Sequence, residues 1–210
     1  MKNLLKFLTL ICGITLMFNL SSCSDSGNQS KQEKINSLID KGRDAEENGV
    51  YTDALDYNQA IVGLQTEIVS EMLKLEDEKQ LEPLAELIEH KITILEGMKL
   101  KNDSDYGLKY AMLDLFSYYL ELTQNEYPQV LQISKEMEEN QDNDEVVIAL
   151  YMELVGIQES IEQGELVLTD KMSAAQKKFA EANGVILEDN PLQDDIDKAN
   201  AEFESINESI

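Results

Sequence analysis

Apolar residues recur every three or four positions through most of the chain, which is the spacing of amphipathic helices. One such helix is predicted from Asp53 to about Glu78, with Thr52 as its cap. Its apolar face consists of Ala54, Tyr57, Ile61, Leu64, Ile68, Met72 and Leu75. No window alternates like a strand for long, so the pattern predicts an all-α protein.

Polar breaks and prolines divide this pattern into separate helices. Asn48-Gly49 is predicted to end a first helix that starts at Lys31, because Gly and Asn adopt the left-handed conformation of a helix end. A third helix is predicted near Leu81, where Pro83 fits the first turn. Residues 102–105 should separate it from a fourth helix and cap that helix.

The second half of the chain contains the longest periodic run, from Glu145 to about Asn183. Pro128 should kink or restart the helix before it, because proline lacks a backbone donor and clashes with the preceding turn. Long helices joined by short loops pack antiparallel. We therefore expect an up-and-down helical bundle of about four long helices, with a short N-terminal helix and an acidic C-terminal tail helix.

Lys31 to Ile61 partly resembles a tetratricopeptide repeat, on the offsets of Gly42, Gly49, Tyr51 and Ala54. The match then fails, since Ile61 stands where that repeat has an alanine. No second copy follows, and a solenoid needs at least three stacked units. We therefore interpret this segment as an ordinary helical hairpin.

The N-terminus has a different pattern, with basic Lys2 and Lys6 followed by an apolar run at residues 7–18 and then by small residues. This is the layout of a secretory signal peptide. The apolar run is too short for a membrane span, which needs about 20 residues.

The stretch Leu20-Ser21-Ser22-Cys23 resembles the lipobox of bacterial lipoproteins. The resemblance implies cleavage before Cys23, a diacylglycerol on its sulfur and a fatty acid such as palmitate on its amine. Two or three chains anchor a protein stably, whereas one holds it only marginally. Ser24, in place of Asp, favours the outer membrane of a Gram-negative envelope, facing the periplasm or the medium. The alternative is an ordinary signal peptide cleaved without lipidation.

Together these patterns predict four segments. They are a lipoprotein signal peptide at residues 1–22, a flexible tether from the lipidated cysteine at 23–30, a helical bundle domain at 31–187, and an acidic, partly helical tail at 188–210. The tether is assigned from its small polar residues.

Charge and composition exclude several classes of function. The net charge of −25 argues against nucleic-acid binding, so the expected contacts are the bilayer, through acylated Cys23, and an unidentified protein partner. Cys12 would leave with the signal peptide, which removes disulfides, thiolate catalysis and cysteine metal sites. With His90 as the single histidine, we expect no metal and no cofactor.

Asn58 and Gln65 lie seven residues apart, on one stripe with Leu55, Val62 and Val69. We interpret them as a polar seam. The two amides could hydrogen-bond inside the bundle and set the helix register, or they could line a ligand groove.

Tyr57-Asn58 and Gln65, taken together with Ala175-Gln176, Phe179-Ala180 and Asn183, resemble helical surface lipoproteins of Gram-negative bacteria. That family has no established activity. The resemblance therefore implies no site residue beyond Cys23.

Five tyrosines cluster around the fourth helix: Tyr106, Tyr110, Tyr118, Tyr119 and Tyr127. At helical spacing they cannot all face inward. Tyr119 is predicted to be core, whereas Tyr110 and Tyr118 are predicted at a rim, where an apolar ring with a polar tip suits contact with a partner.

The acidic runs lack the spaced ligands and glycine of a calcium loop, so we interpret them as a solvated acidic face. The chain also lacks a nucleophile elbow and a glycine-rich phosphate loop, and we expect no enzymatic activity. The expected function is a non-catalytic interaction or structural lipoprotein. The alternatives are a small-ligand or peptide binder, and a hydrolase with two carboxylates across an apolar cleft.

Overall fold

The computed structural model describes residues 19–21, 30–47, 49–101 and 104–188. These residues form six α-helices: α1 Lys31–Glu47, α2 Ala54–Met72, α3 Leu81–Gly97, α4 Leu108–Gln124, α5 Glu126–Glu139 and α6 Asp144–Asn183. Four short strands accompany them: β1 Asn19–Ser21, β2 Val50–Tyr51, β3 Lys99–Leu100 and β4 Ile186–Glu188. The predicted all-α helical bundle is confirmed.

Successive helices from α1 to α4 run in alternating directions. β2 follows α1 and β3 follows α3, and the two strands pair in parallel, Val50 opposite Lys99. α6 runs antiparallel to α4, because Asn183 near its end contacts Ser104, whereas Ile161 near its middle contacts Tyr118. α2 and α4 therefore share a direction that is opposite to the direction of α6.

The α1–α2 hairpin has the closest helix approach, at two glycines. A Cβ atom at Gly63 would lie 2.0 Å from the carbonyl oxygen of Leu38, and one at Gly42 would lie 2.6 Å from the backbone of Gly63. Any side chain there would push the two helices apart. α1 has 17 residues, as many as α3 and α4, and it buries Ile35 and Ala45 in the main core.

α2 ends at Met72, six residues before the predicted end at Glu78. The reason is a capping box around Asp77, whose carboxylate accepts from the N–H of Lys79 while the side chain of Gln80 accepts from the N–H of Asp77. This arrangement begins a short 3₁₀ turn, Glu78–Gln80, that leads into α3. A local cap therefore overrides an apolar periodicity that continues to Leu75.

Two predicted N-caps are wrong by a residue or more. Asp53, not Thr52, caps α2, because its Oδ1 accepts from the N–H groups of Leu55 at 2.8 Å and Asp56 at 3.0 Å. α4 begins after Gly107, whose φ is 83°, and Asp105 accepts from the Gly107 N–H instead of capping the helix. A glycine is needed at that position because a φ of this size is strained for other residues.

The predicted restart near Pro128 is confirmed. α4 ends at Gln124 and α5 begins at Glu126, so Pro128 falls in a first turn, where proline is tolerated. The predicted 145–183 helix is also confirmed, as the 40-residue α6, which ends at Gly184 with a φ of 66°.

The predicted apolar face of α2 is buried, apart from half-buried Ala54. The largest fully buried side chains come from α2, α4, α5 and α6: Tyr57, Tyr119, Tyr127, Phe116, Phe179, Ile61 and Leu64. Within the described residues, no helix combines the length and apolar character that crossing a membrane requires.

β1 lies inside the predicted signal peptide and pairs antiparallel with β4, Leu20 opposite Leu187. It also contacts α2. Cleavage before Cys23 would remove this strand. Cys23, nearly all of the tether and the tail beyond Glu188 lie outside the described residues, so the four-segment division remains a prediction.

Candidate functional site

The predicted polar seam lies between α2 and α6. Asn58 and Gln65 are both 0% exposed. The Asn58 Oδ1 accepts a hydrogen bond of 3.4 Å from the Nε2 of Gln176. Beside this contact, the rings of Tyr57 and Phe179 lie 6.1 Å apart between centroids. The seam is therefore part of the bundle interior.

Three amide atoms of this seam have no hydrogen-bond partner in the described structure: the Nδ2 of Asn58 and both the Nε2 and Oε1 of Gln65. A buried polar group without a partner costs about 1–3 kcal/mol. The Asn58–Gln176 bond supports the register interpretation, whereas the unpartnered amide of Gln65 supports the groove interpretation. Both interpretations therefore remain open.

α6 contributes a matching row of buried polar side chains, consisting of Gln158, Glu165, Thr169 and Gln176. Their spacings of seven, four and seven residues place all four on one helix face. The sequence interpretation recognised only Gln176 among them. The signal was present in their spacing, but the apolar residues between them, such as Ile161 and Met172, made the face look uniformly apolar.

The antiparallel register brings the two rows together. Gln65 lies seven residues after Asn58 on α2, and Thr169 lies seven residues before Gln176 on α6. At 1.5 Å per residue, each pair of positions is about 10.5 Å apart along its helix. Because the two helices run antiparallel, Gln65 and Thr169 both lie on the same side of the Asn58–Gln176 contact.

Glu165 is the charged member of the row, and it is only 2% exposed. The hydroxyl of Tyr119, on α4, donates to its Oε1 at 3.4 Å, while its Oε2 has no hydrogen-bond partner among the described residues. Burial raises the pKa of Glu165 to about 8; the bond from Tyr119 opposes the rise and the charge of Glu162 adds to it. Its carboxyl group is therefore largely neutral at pH 7.

The two tyrosines predicted at a rim have different environments. Tyr110 is 66% exposed, and the Nζ of Lys109 lies 5.7 Å from its ring centroid. Tyr118 is half-buried, and its hydroxyl donates to the carbonyl of Ile161 at 2.8 Å. Tyr118 therefore joins α4 to α6, and Tyr110 is the one of the two that is placed to contact a partner. Tyr119 is core, as predicted.

A half-buried glutamate, Glu67, lies where α1, α2 and α3 meet. Its Oε2 is 2.8 Å from the Nζ of buried Lys91, and its Oε1 is 3.5 Å from a guanidinium nitrogen of Arg43. Sequence reasoning missed this network because its three residues belong to three different helices. Its role in the bundle is to join them.

A pocket of about 250 Å³ opens beside the α1–α2 turn. An ion pair of 3.3 Å between Lys41 and Asp56 borders it, together with Asp44 and Asp53. The hydroxyl of Tyr51 is buried here, and burial with the charges of Asp44 and Asp56 raises its pKa to about 12. The pocket lining combines acidic groups and an aromatic ring with the apolar side chains of Val50 and Ala60.

No group of three or more His, Cys, Asp or Glu side chains in the described part of the chain could hold a metal ion. His90 is exposed on α3. The predicted absence of metal and cofactor stays a prediction.

Comparisons of the chain with protein-family models, with curated proteins and with solved structures found no match.

Proposed function

We propose that the protein is a lipoprotein anchored to the outer membrane through acylated Cys23, and that it acts there as a non-catalytic interaction or structural module. The observation that carries this proposal is the lipobox-like Leu20-Ser21-Ser22-Cys23, which directly follows a basic and apolar leader. The chain carries 17 basic and 42 acidic residues, so its charge does not favour binding to an anionic membrane surface. The lipid on Cys23 would therefore hold the bundle at the membrane.

The exposed tyrosines at the start of α4 and just before it support a role in contacting a macromolecule. Tyr106 is 53% exposed and Tyr110 is 66% exposed, next to Lys109. Tyrosine rings with a nearby cation are common among the residues that dominate binding energy at protein interfaces. We refer to Tyr106, Lys109 and Tyr110 as the tyrosine patch.

Metabolic labelling with palmitate tests the anchor. The wild-type protein should incorporate label and migrate as the cleaved form. Cys23→Ala should remain unlabelled and uncleaved, because the lipid acceptor is lost. Equal labelling of the two proteins would disprove the anchor.

Cross-linking and pull-down from intact cells test the tyrosine patch. Tyr110→Ala should lose a partner that the wild type retains, because it removes an exposed ring without disturbing the core. Tyr118→Phe is the matched control, since it changes a tyrosine of the same helix whose hydroxyl contacts Ile161. Loss of the partner by both variants or by neither would contradict a specific role for the patch.

The alternative of a small-ligand or peptide binder is supported by the unpartnered amide of Gln65. The other alternative, a carboxylate hydrolase, requires a second acid that faces Glu165 across a cleft. The acid that acts on Glu165 is Glu162, which lies three residues earlier on the same helix. This arrangement gives the hydrolase little support.

A further inference from the structure

Two adjacent side chains of α6 present oxygen atoms without partners to the bundle interior. Glu165 and Thr169 lie four residues apart and are 2% and 5% exposed. Among the described residues, neither the Oε2 of Glu165 nor the Oγ1 of Thr169 has a hydrogen-bond partner. Residues at this spacing are neighbours on one helix face.

The surroundings of these oxygens are polar but contain no balancing positive charge. Tyr119 of α4 bonds the other carboxyl oxygen of Glu165, and the amide of the fully buried Gln65, from α2, has no hydrogen-bond partner among the described residues. No described Lys or Arg forms an ion pair with Glu165. The nearby Lys171 is ion-paired with Asp114 at the surface.

We propose that Glu165 and Thr169 form the centre of a binding site for a compact monovalent cation, either an alkali-metal ion or the ammonium group of a small amine, inside the bundle between α6, α4 and α2. An ionised carboxylate only accepts hydrogen bonds, and a hydroxyl and an amide oxygen can also accept, so the available atoms match a cation. A single carboxylate neutralises a single positive charge, whereas a divalent ion would retain a buried excess charge.

The half-buried Glu67 shows the arrangement that Glu165 lacks. Its side chain is 16% exposed and has the ammonium group of Lys91 at 2.8 Å, supplied by the protein itself. Glu165 is more deeply buried, at 2% exposed, and has no ion pair with a described lysine or arginine. An external cation would therefore occupy at Glu165 the role that Lys91 has at Glu67.

Binding at this site should release a proton and strengthen as the pH rises. The raised pKa of Glu165 keeps the carboxyl neutral below about pH 8. The titratable groups that act on it are Tyr119 from α4 and Glu162 from α6, while α2 faces the seam with the non-titrating Asn58 and Gln65. A cation must therefore compete with one proton on Glu165.

Thermal unfolding of the purified full-length protein tests the site, at constant ionic strength. Potassium chloride and methylammonium chloride are each compared with the bulky tetraethylammonium chloride, at pH 6 and pH 9. We expect the small cations to raise the Tm by several degrees at pH 9 and to have a much smaller effect at pH 6, because a ligand stabilises only the state that binds it. Stabilisation by methylammonium alone would identify an amine site, and stabilisation by potassium an alkali-metal site.

Two variants with the same change in charge separate this site from general counter-ion effects. Glu165→Gln should lose the difference between small and bulky cations. Glu153→Gln, which changes an exposed acid twelve residues before Glu165 on the same helix, should keep it. If Glu165→Gln does not fold, Thr169→Val should reduce the difference without changing the charge.

Two results would overturn the proposal. One is an equal Tm in small and bulky cations at both pH values, and the other is a difference that persists unchanged in Glu165→Gln. A second measurement records protons released when the favoured small cation is added to unbuffered protein at pH 7.5, where no release would also overturn it. None of these measurements depends on the lipid anchor, so their failure leaves the proposed function untouched.

Discussion

Glu67 and Glu165 both place a carboxylate among packed helices, Glu67 with a 16% exposed side chain and Glu165 at 2% exposed, and their partners differ. Glu67 joins three helices through Lys91 and Arg43. Glu165 has one bond from Tyr119 and a carboxyl oxygen without a partner in the described structure. A buried carboxylate needs either a cation or a proton. The protein supplies the cation at Glu67, whereas at Glu165 the proton remains.

The difference extends to the helices around each residue. α1 and α2 meet backbone to backbone at Gly42 and Gly63, next to the Glu67 network. The α2–α6 seam instead contains Gln65 and Thr169, whose polar atoms have no partner among the described residues. The α1–α3 region is therefore held by an ion-pair network and close helix packing, whereas the α6 seam is where a ligand could improve the protein's own interactions.

The largest change in stability is expected at the ion pair between Glu67 and Lys91. Lys91→Ala leaves the half-buried Glu67 with only the longer contact to Arg43. Breaking a fully buried ion pair costs about 3–5 kcal/mol, and the partial exposure of Glu67 places this pair at the lower end. The free energy of unfolding, measured with urea, should fall by that amount. The double variant Lys91→Met with Glu67→Leu should recover most of it, because apolar residues of similar volume need no partner. A single variant as stable as the wild type would show that the network is not needed.

At Glu165, in contrast, the charge of the carboxylate itself should lower the free energy of unfolding. Its pKa is raised from 4.5 in the unfolded chain to about 8 in the folded protein, so the folded state holds its proton more tightly. Its contribution to stability is therefore present at low pH and is lost as the pH rises from about 4.5 to about 8.

Glu165→Gln should remove this loss and stabilise the protein at pH 9 by a few kcal/mol, since one pKa unit corresponds to about 1.4 kcal/mol. Urea unfolding in tetraethylammonium buffer at several pH values measures it. The control Glu153→Gln, which changes an exposed acid twelve residues before Glu165 on the same helix, should retain the wild-type dependence on pH. Parallel pH profiles for wild type and Glu165→Gln would contradict this account.

The buried amides of α2 should lower the free energy of unfolding less than the charge of Glu165 does. Replacing Asn58 and Gln65 together with leucine removes polar atoms that lack partners and should leave the stability equal or raise it by up to about 1–3 kcal/mol. Denaturant unfolding measures this change. A marked loss of stability would show that the Asn58–Gln176 bond is needed to set the register.

The sequence alone predicted the helices and the two buried amides on the α2 side of the polar seam. Periodicity located α6 and the buried face of α2, because both depend on local spacing. The end of α2 was missed because the capping box at Asp77 outweighs continued periodicity. The Glu67–Lys91 ion pair and the hydrogen bond from Tyr119 to Glu165 were missed for a different reason. They depend on which helices become neighbours, and local spacing carries no such information.

The smallest effect is expected at the contact between α4 and α6 near Glu165. Tyr118→Phe removes only the hydroxyl that donates to the Ile161 carbonyl at 2.8 Å, and a net hydrogen bond contributes about 0.5–1.5 kcal/mol. The exposed Tyr110 is the matched control, and Tyr110→Phe should change the unfolding free energy by less than about 0.5 kcal/mol. Urea unfolding of the two variants in parallel resolves this difference. If Tyr118→Phe is equally neutral, the bond from Tyr118 to Ile161 adds nothing to the other contacts between α4 and α6, and water replaces it.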